Sequence, residues 1–319
     1  MITDRLRILV TESTHFPGRA VELMGGLGDV TLSDIGDRES LLGAIGDSDV
    51  LWVRLRHRID KRILDAAPNL KVIVTPTTGL NHIDTGEVES RGIFLLSLRG
   101  ETDFLRDIRA TAEHTILLIL ALIRNIHDAI QHVKEGGWNR DLFKGYELFG
   151  RTAGVVGYGR LGRIVARYLR AFGMEVLTAD PNLTAAEVVE DVRLVQLSEL
   201  LEKADLVTLH VDYGPRNHRF FGNDQFAVMK KDSWFINTSR GELIDEAALL
   251  EALEKGHLAG AALDVLSGEG ELDVLSDKLV DYARRHHNLI ITPHIGGCTY
   301  ESMEKTEMFL AEKLCSLLT

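Results

Sequence analysis

Short apolar runs of β type recur along the chain with amphipathic stretches between them. Residues 7–10, 29–32, 49–53, 70–75 and 93–96 form the first set, and such alternation predicts a parallel sheet with crossover helices on its faces. The punctuation agrees. Pro17-Gly18 precedes an apolar-periodic stretch and Gly25-Gly26 follows it, while Pro68-Asn69 closes the segment that begins at Asp60. A longer helical pattern over 110–133, with an apolar face through Ile116, Leu120 and Ile123, leads into a loop at Gly136-Gly137-Trp138. The alternation then restarts at 152–156, 175–179, 206–210, 233–237 and 259–265, with helical stretches at 161–172, 197–204 and 246–255 between the runs. A last run at 289–292 and an amphipathic helix from about Tyr300 fit either half of the chain. The expected fold class is α/β, with two doubly wound parallel-sheet domains.

Composition narrows the function. At 319 residues, 45% hydrophobic and 26% charged with only 6 Pro, the chain is large enough for two cores and is expected to fold throughout. A net charge of −12 opposes nucleic-acid binding, so a small anionic ligand must be met by individually placed arginines. Two cysteines, Cys298 and Cys315, are too few for a disulfide framework and suit a reducing compartment. The first ten residues alternate charge with Ile and Leu, and the longest apolar run, 116–123, is far short of a membrane span. A cytoplasmic protein with no membrane partner is expected. No His/Cys cluster has metal-ligand spacing, so no metal is expected.

Gly157-Tyr158-Gly159-Arg160-Leu161-Gly162 directly follows the apolar run 152–156 and opens a helical stretch. In that setting Gly157 permits the tight strand-to-helix turn, Gly159 lets a pyrophosphate approach the backbone, and Gly162 lets helix and sheet pack closely. The helix start supplies unpaired N–H groups to phosphate. Asp180 ends the next strand, where a carboxylate accepts hydrogen bonds from the adenosine ribose hydroxyls and repels a 2′-phosphate, which favours NAD over NADP. Read singly, the glycines are a turn and Asp180 starts another before Pro181. Their order, strand, glycines, helix, strand, acid, makes the dinucleotide reading.

Three further segments end strands of the second half. They are Asn237-Thr238-Ser239-Arg240-Gly241, Leu263-Asp264-Val265-Leu266-Ser267-Gly268-Glu269 and Thr292-Pro293-His294-Ile295-Gly296-Gly297. In an open parallel sheet the carboxyl ends of strands gather around the ligand crevice, so an Arg, a Glu and a His are expected in one cleft. Taken alone, Arg240 reads as a solvated loop cation, Glu269 as a polar turn residue and His294 as a loop histidine. The chemistry of a 2-keto acid calls for these types: a planar guanidinium for the carboxylate, and an imidazole able to give or take a proton near neutral pH. The nicotinamide carries the electrons.

With these motifs, and with Ala67-Pro68-Asn69-Leu70-Lys71-Val72-Ile73, Thr78-Gly79-Leu80-Asn81-His82-Ile83-Asp84 and Ala112-Glu113-His114, nearly the whole chain resembles the D-isomer-specific 2-hydroxyacid dehydrogenases. That family includes D-3-phosphoglycerate dehydrogenases, D-lactate dehydrogenases and glyoxylate/hydroxypyruvate reductases. The resemblance implies a Rossmann NAD-binding domain, 104–292, inserted into a flavodoxin-like substrate domain, 1–103 with 293–319. It implies that Arg240 holds the substrate carboxylate, that His294 is the acid/base and that Glu269 pairs with it. Arg160 and Leu161 would face the pyrophosphate, with Gly157, Gly159 and Gly162 around it. Asp180 would face the ribose and Asp264 the nicotinamide carboxamide, while His210, Thr238, Ser239, Gly296 and Gly297 would line the cofactor cleft. Thr78 and Gly79 would reach the substrate carboxylate, the C-terminal helix would pack on the first domain, and the 110–133 helix would help form a homodimer. Apart from the resemblance, Arg54, at the end of the 50–53 run, is either a surface cation or a grip on a second anionic group of the substrate.

The chain also departs from the family pattern. Glu269 is followed by Gly270 where the family has Pro, and 271–287 is longer than usual. Arg99, Arg106 and Arg109 lie in a second extended segment, either as surface cations or as a grip on a second anionic group. The expected function is NAD-dependent hydride exchange at C2 of a phosphoglycerate-like or glyoxylate/hydroxypyruvate-like acid. The alternative is a non-enzymatic, NAD(H)-responsive regulator of the same fold, similar to the C-terminal-binding-protein corepressors.

Overall fold

The computed structural model describes residues 5–188, 191–269 and 273–319. Two compact units make up the chain, Met1–Ile108 with Cys298–Thr319, and Arg109–Gly297. The first holds β1 (Leu6–Val10), β2 (Gly28–Leu32), β3 (Val50–Trp52), β4 (Val72–Thr75) and β5 (Phe94–Ser97) in the order β2-β1-β3-β4-β5, the flavodoxin-like arrangement. Every neighbouring pair is parallel. Alternate residues serve opposite faces: Ile8, Val10, Val50, Trp52, Val72 and Val74 join one core, and Leu9, Leu51, Val53 and Ile73 the other. The C-terminal helix Tyr300–Leu318 closes the first of these cores with Leu310, Ala311 and Leu314. Crossover helices start where aspartates cap them: Asp37 accepts from Ser40 N–H, Asp60 from Arg62 and Ile63 N–H, and Asp84 from Glu87 N–H.

In the second unit are β6 (Thr152–Val156), β7 (Glu175–Ala179), β8 (Val192–Leu194), β9 (Leu206–Leu209), β10 (Ser233–Asn237), β11 (Leu258–Leu263) and β12 (Leu289–Ile291). They lie in the order β12-β11-β10-β9-β6-β7-β8, all parallel. Phe235 and Val207 pack on one face with Phe221 and Phe226; Trp234 and Ile236 pack on the other with Ile119, Leu122 and Val165.

Several expectations are corrected. The 110–133 helix is two helices, Ala110–Ile123 and Ile126–Lys134, bent by 67° where Asn125 turns left-handed at φ 50°. That backbone ends the hydrogen-bond ladder, which an apolar pattern alone does not register. No single helix among the described residues is long and apolar enough to cross a membrane. Strand β8 and the helix Lys278–Arg285 inside the long 271–287 stretch had no expected counterpart, and 270–272 lie outside the described residues. The units divide a few residues beyond 103 and 292. Leu105 belongs to the first unit's core, and Ile295 and Gly296 are held by Asp264 of the second.

Each sheet starts near its middle, runs outward, then returns on the other side of its first strand. The resulting switch points lie between β1 and β3 and between β6 and β9, where strand ends diverge into a crevice. In the larger sheet, Val156 pairs with Ala179 and Leu209, Leu209 with Asn237, Asn237 with Leu263 and Leu263 with Ile291. This shared level places the next residues, Gly157, Asp180, His210, Thr238, Asp264 and Thr292, along one edge.

His210 is buried at this edge, with Nε2 3.0 Å from Thr208 Oγ1 and no partner on Nδ1. Burial lowers its pKa to about 3. The folded chain therefore keeps it neutral, whereas the unfolded chain protonates it below about 6.5. Its contribution to stability is present above that pH and is lost as pH falls, by about 1.4 kcal/mol per pH unit. Denaturant unfolding from pH 7 to 4 is expected to be steeper in pH for the parent than for His210→Gln. Parallel curves would overturn the assignment.

Candidate active site

At the end of β6 the chain turns at Gly157, whose φ of 89° is left-handed and whose missing Cβ would lie 2.5 Å from His210 O. Only glycine meets both conditions. The helix Arg160–Ala171 follows, and a Cβ on Gly162 would fall 2.0 Å from Gly157 O, so this glycine lets the helix start close to the strand. A Cβ on Gly159 meets nothing within 4 Å, and no side chain caps the helix. Open space over an uncapped helix N-terminus fits a dinucleotide pyrophosphate. Asp180, at the end of β7, accepts from Tyr158 N–H at 2.9 Å and from Asn182 N–H at 3.0 Å, so its carboxylate is fixed beside the glycine turn. Burial lowers the pKa of Arg160 while Asp212 opposes it; a guanidinium keeps its charge regardless. Leu161 packs against the core below.

After β10, buried Asn237 shapes the next turn, accepting from Ser239 N–H and donating to Arg240 O. Thr238 Oγ1 lies 2.9 Å from Thr115 Oγ1, and Ser239 Oγ donates to Leu209 O at 2.8 Å, so both hydroxyls are engaged within the unit. Arg240 Nη1 donates to Ser239 O at 2.6 Å. Burial lowers its pKa, and Glu269, Glu242, Asp212 and Asp264 raise it in turn. Gly241 touches the following turn directly, since a Cβ there would be 2.0 Å from Leu266 C. The turns bearing Arg240 and Glu269 are thus in backbone contact.

Glu269 uses both oxygens. Oε1 accepts from Leu266 N–H at 2.9 Å, closing its own turn, and Oε2 lies 2.5 Å from His294 Nδ1. A carboxylate at Nδ1 makes that nitrogen the donor and leaves Nε2 as the ring nitrogen for other chemistry. Side-chain exposures of 20% for His294 and 28% for Glu269 keep the pair within reach of a ligand. His294 itself is left-handed at φ 54°. Its N–H donates to Asp264 O and Thr292 O, while the Asp264 carboxylate takes Thr292 Oγ1–H at 2.6 Å, Ile295 N–H at 2.9 Å and Gly296 N–H at 2.7 Å. Burial would raise the pKa of Asp264; His114, Thr292 and the two N–H groups outweigh it and keep the group below its ordinary value. A Cβ on Gly296 would approach Asp264 Oδ2 to 2.9 Å and crowd the carboxylate that its N–H holds, whereas a Cβ on Gly297 meets nothing.

Sequence reasoning missed two contributors. His114 Nε2 lies 3.0 Å from Thr292 Oγ1 and 3.2 Å from Asp264 Oδ1; its motif was visible but its partner is far along the chain. Glu246 holds Ser267 N–H at 2.7 Å, and burial pushes it up to about 7, with Asp277 and Glu242 adding to the rise. Among the described residues no group of three or more His, Cys, Asp or Glu is placed to hold a metal ion.

Within the first unit, Thr78 is exposed and Gly79 O accepts from Thr77 Oγ1. Arg54, expected as a substrate ligand, is already paired with Glu307 at 2.5 Å. Arg106 pairs with Asp103 on the exposed surface.

Residues 116–296 match the family model described as D-isomer specific 2-hydroxyacid dehydrogenase, NAD binding domain. The D-3-phosphoglycerate dehydrogenase of Methanocaldococcus jannaschii is 36% identical over 316 residues, 98% of this chain and 57% of that protein. The chain spans about half the length of the phosphoglycerate dehydrogenases it matches. The glyoxylate reductase of Thermofilum pendens is 35% identical, covering 98% of this chain and 92% of the relative. Among solved structures, D-lactate dehydrogenase from Aquifex aeolicus complexed with NAD and lactic acid aligns with a TM-score of 0.84 at 26% identity, over 98% of this chain and 95% of that one. With the glycine turn, the uncapped helix and the two switch-point sheets in place, the chain belongs to the D-isomer-specific 2-hydroxyacid dehydrogenases, and its second unit carries their NAD-binding domain.

Proposed function

We propose that this chain catalyses NAD-dependent hydride exchange at C2 of a small D-2-hydroxy or 2-keto acid, of the phosphoglycerate or glyoxylate/hydroxypyruvate class. The contact of His294 Nδ1 with Glu269 carries the reading, on the same sheet edge as the glycine turn. The relatives named D-3-phosphoglycerate dehydrogenase and glyoxylate reductase support the substrate class.

Bound nicotinamide supplies the hydride acceptor and donor. Gly157, Gly159, Arg160, Leu161 and Gly162 hold the pyrophosphate, and Asp180 accepts from the ribose hydroxyls. His210, Thr238, Ser239, Gly296 and Gly297 line the cleft, and Asp264, its oxygens held by Thr292, Ile295 and Gly296, stands behind them at the carboxamide end. Arg240 clamps the substrate carboxylate and steadies charge on the C2 oxygen. His294 Nε2 gives that oxygen a proton in reduction and removes one in oxidation, while Glu269 fixes ring orientation and compensates the imidazolium. Thr78, Gly79 and Arg54 of the first unit contact the acid's anionic groups.

A homodimer completes the reading. Ile126, Ile130, Val133, Trp138, Leu142 and Phe149 are large exposed apolar residues within one short stretch of the second unit, with Trp138 91% exposed. A cluster of exposed apolar side chains supports an interface, and the occupant we propose is a second copy.

His294→Gln is expected to cost on the order of 10²-fold or more in turnover of glyoxylate or hydroxypyruvate, with NADH binding retained, and Glu269→Gln about tenfold or more. Parent-like turnover by His294→Gln would overturn the acid/base assignment. Loss of turnover of every keto acid tried, with tight NADH binding in the parent, would point instead to an NAD(H)-responsive regulator.

Fluorescence titration is expected to show NADH binding more tightly than NADPH in the parent, with Asp180→Ala narrowing the gap. Equal affinities in the parent would remove Asp180 from the ribose.

Sedimentation should give twice the chain mass for the parent and a shift toward the monomer for Trp138→Glu. A monomeric parent would overturn the dimer.

A further inference from the structure

At the switch point of the smaller sheet, between the ends of β1 and β3, three charged groups are packed together. Glu12 follows β1 and accepts Arg54 N–H at 2.5 Å and Arg56 N–H at 3.0 Å. Arg54 follows β3 and reaches Glu307 of the C-terminal helix through Nε at 2.6 Å and Nη2 at 2.5 Å, both to Oε1, while its Nη1 donates to Thr14 O. The Glu307 side chain is 1% exposed and that of Arg54 16%. Glu307 Oε2 is buried with no hydrogen-bond partner. Glu307 also shares the stripe formed by Leu310, Ala311 and Leu314, a position where burial favours an apolar residue.

Packing alone does not require a carboxylate there, and replacing it by an apolar side chain would leave Arg54 as a buried unpaired cation. With both carboxylates ionised the cluster carries one net negative charge, so an oxyanion arriving at Arg54 would face two acids in a desolvated place. With a proton on Glu307 the cluster is neutral, and an anion arriving at Arg54 no longer meets a net negative charge.

Building on the reading that Arg54 contacts substrate, we propose that Glu307 is the resident counter-ion of this oxyanion site. A carboxylate or phosphate group of the acid replaces the Glu307 charge at Arg54, so that its binding is coupled to uptake of one proton by Glu307.

Burial pushes Glu307 up to about 7, with Glu12 adding to the rise and Arg54 opposing it. Two further groups act on its partners: Asp34 on Arg54, and His57, whose pKa burial lowers, on Glu12. The helix Gly18–Gly25 carries Arg19 and Glu22 on its solvent side, His15 is exposed, Arg56 is paired with Asp34, and β4 and β5 have no ionisable residue. Below about pH 7 the site is ready for an anion; above it, each pH unit weakens binding by up to tenfold.

KM for glyoxylate and for 3-phosphohydroxypyruvate, measured from pH 6 to 9, tests the coupling. For the parent we expect KM to rise above about pH 7; for Glu307→Gln we expect that rise to vanish and KM at pH 8 to be about tenfold lower. An effect on both acids assigns Arg54 to the carboxylate, and an effect on 3-phosphohydroxypyruvate alone assigns it to the phosphate. Arg54→Gln separates the two layers of the argument. If it leaves KM as in the parent, Arg54 does not contact substrate and the inference falls with that reading. If it raises KM while Glu307→Gln keeps the parent's slope, the counter-ion role alone is overturned. Should Glu307→Gln not fold, calorimetric titration of NAD⁺-saturated His294→Gln protein with the same acids, in buffers of different ionisation enthalpy, gives the answer directly. Uptake approaching one proton at pH 8 supports the coupling, and no uptake overturns it.

Discussion

The buried carboxylate of Asp264 is the constraint on which the candidate site depends. A carboxylate 1% exposed is tolerated only when its oxygens are satisfied, and here the donors are the parts that need placing: Thr292 Oγ1–H and the N–H groups of Ile295 and Gly296. Drawing in N–H groups on the far side of His294 forces that residue into a left-handed conformation, which costs about 1–3 kcal/mol for a residue with a Cβ. The Asp264 bonds hold it there. The imidazole that lies 2.5 Å from Glu269 is thus carried on a turn that Asp264 holds through the backbone on either side of it.

The two sheets use their switch points in opposite ways. Between β6 and β9 the chain places glycines and an uncapped helix, so backbone N–H groups face open space, an arrangement that offers dipoles to an anion. Between β1 and β3 it places full charges, Glu12 and Arg54, with Glu307 brought in from the terminal helix. On the proposed reading, dipoles of fixed geometry serve the cofactor, and a guanidinium with its own counter-ion serves an anion that must also leave.

Much of this was legible along the chain because its signals are local. Alternating apolar runs located eleven of the strands, since a buried parallel strand needs several consecutive apolar residues; β8, three residues with one exposed arginine, left no such trace. Gly157, Gly159 and Gly162 declared themselves by spacing, because the steric demands of a strand–turn–helix fall within six residues. The 110–133 pattern misled for the converse reason: the break at Asn125 is a backbone event that apolar periodicity does not record.

What the sequence by itself determined is most of the elements, the glycine turn and the candidate side chains for the site, all properties of short segments. Only the tertiary structure decided their partners. His294 and Glu269 lie 25 positions apart, Asp264 and Gly296 32, and Arg54 and Glu307 253, and such meetings follow from strand register and from which core the last helix closes. No local preference encodes them. The buried state of Asp264, the engaged hydroxyls of Thr238 and Ser239, and the pairing of Arg54 all arise from long-range packing, which alone decides how much water each group loses and which charge replaces it.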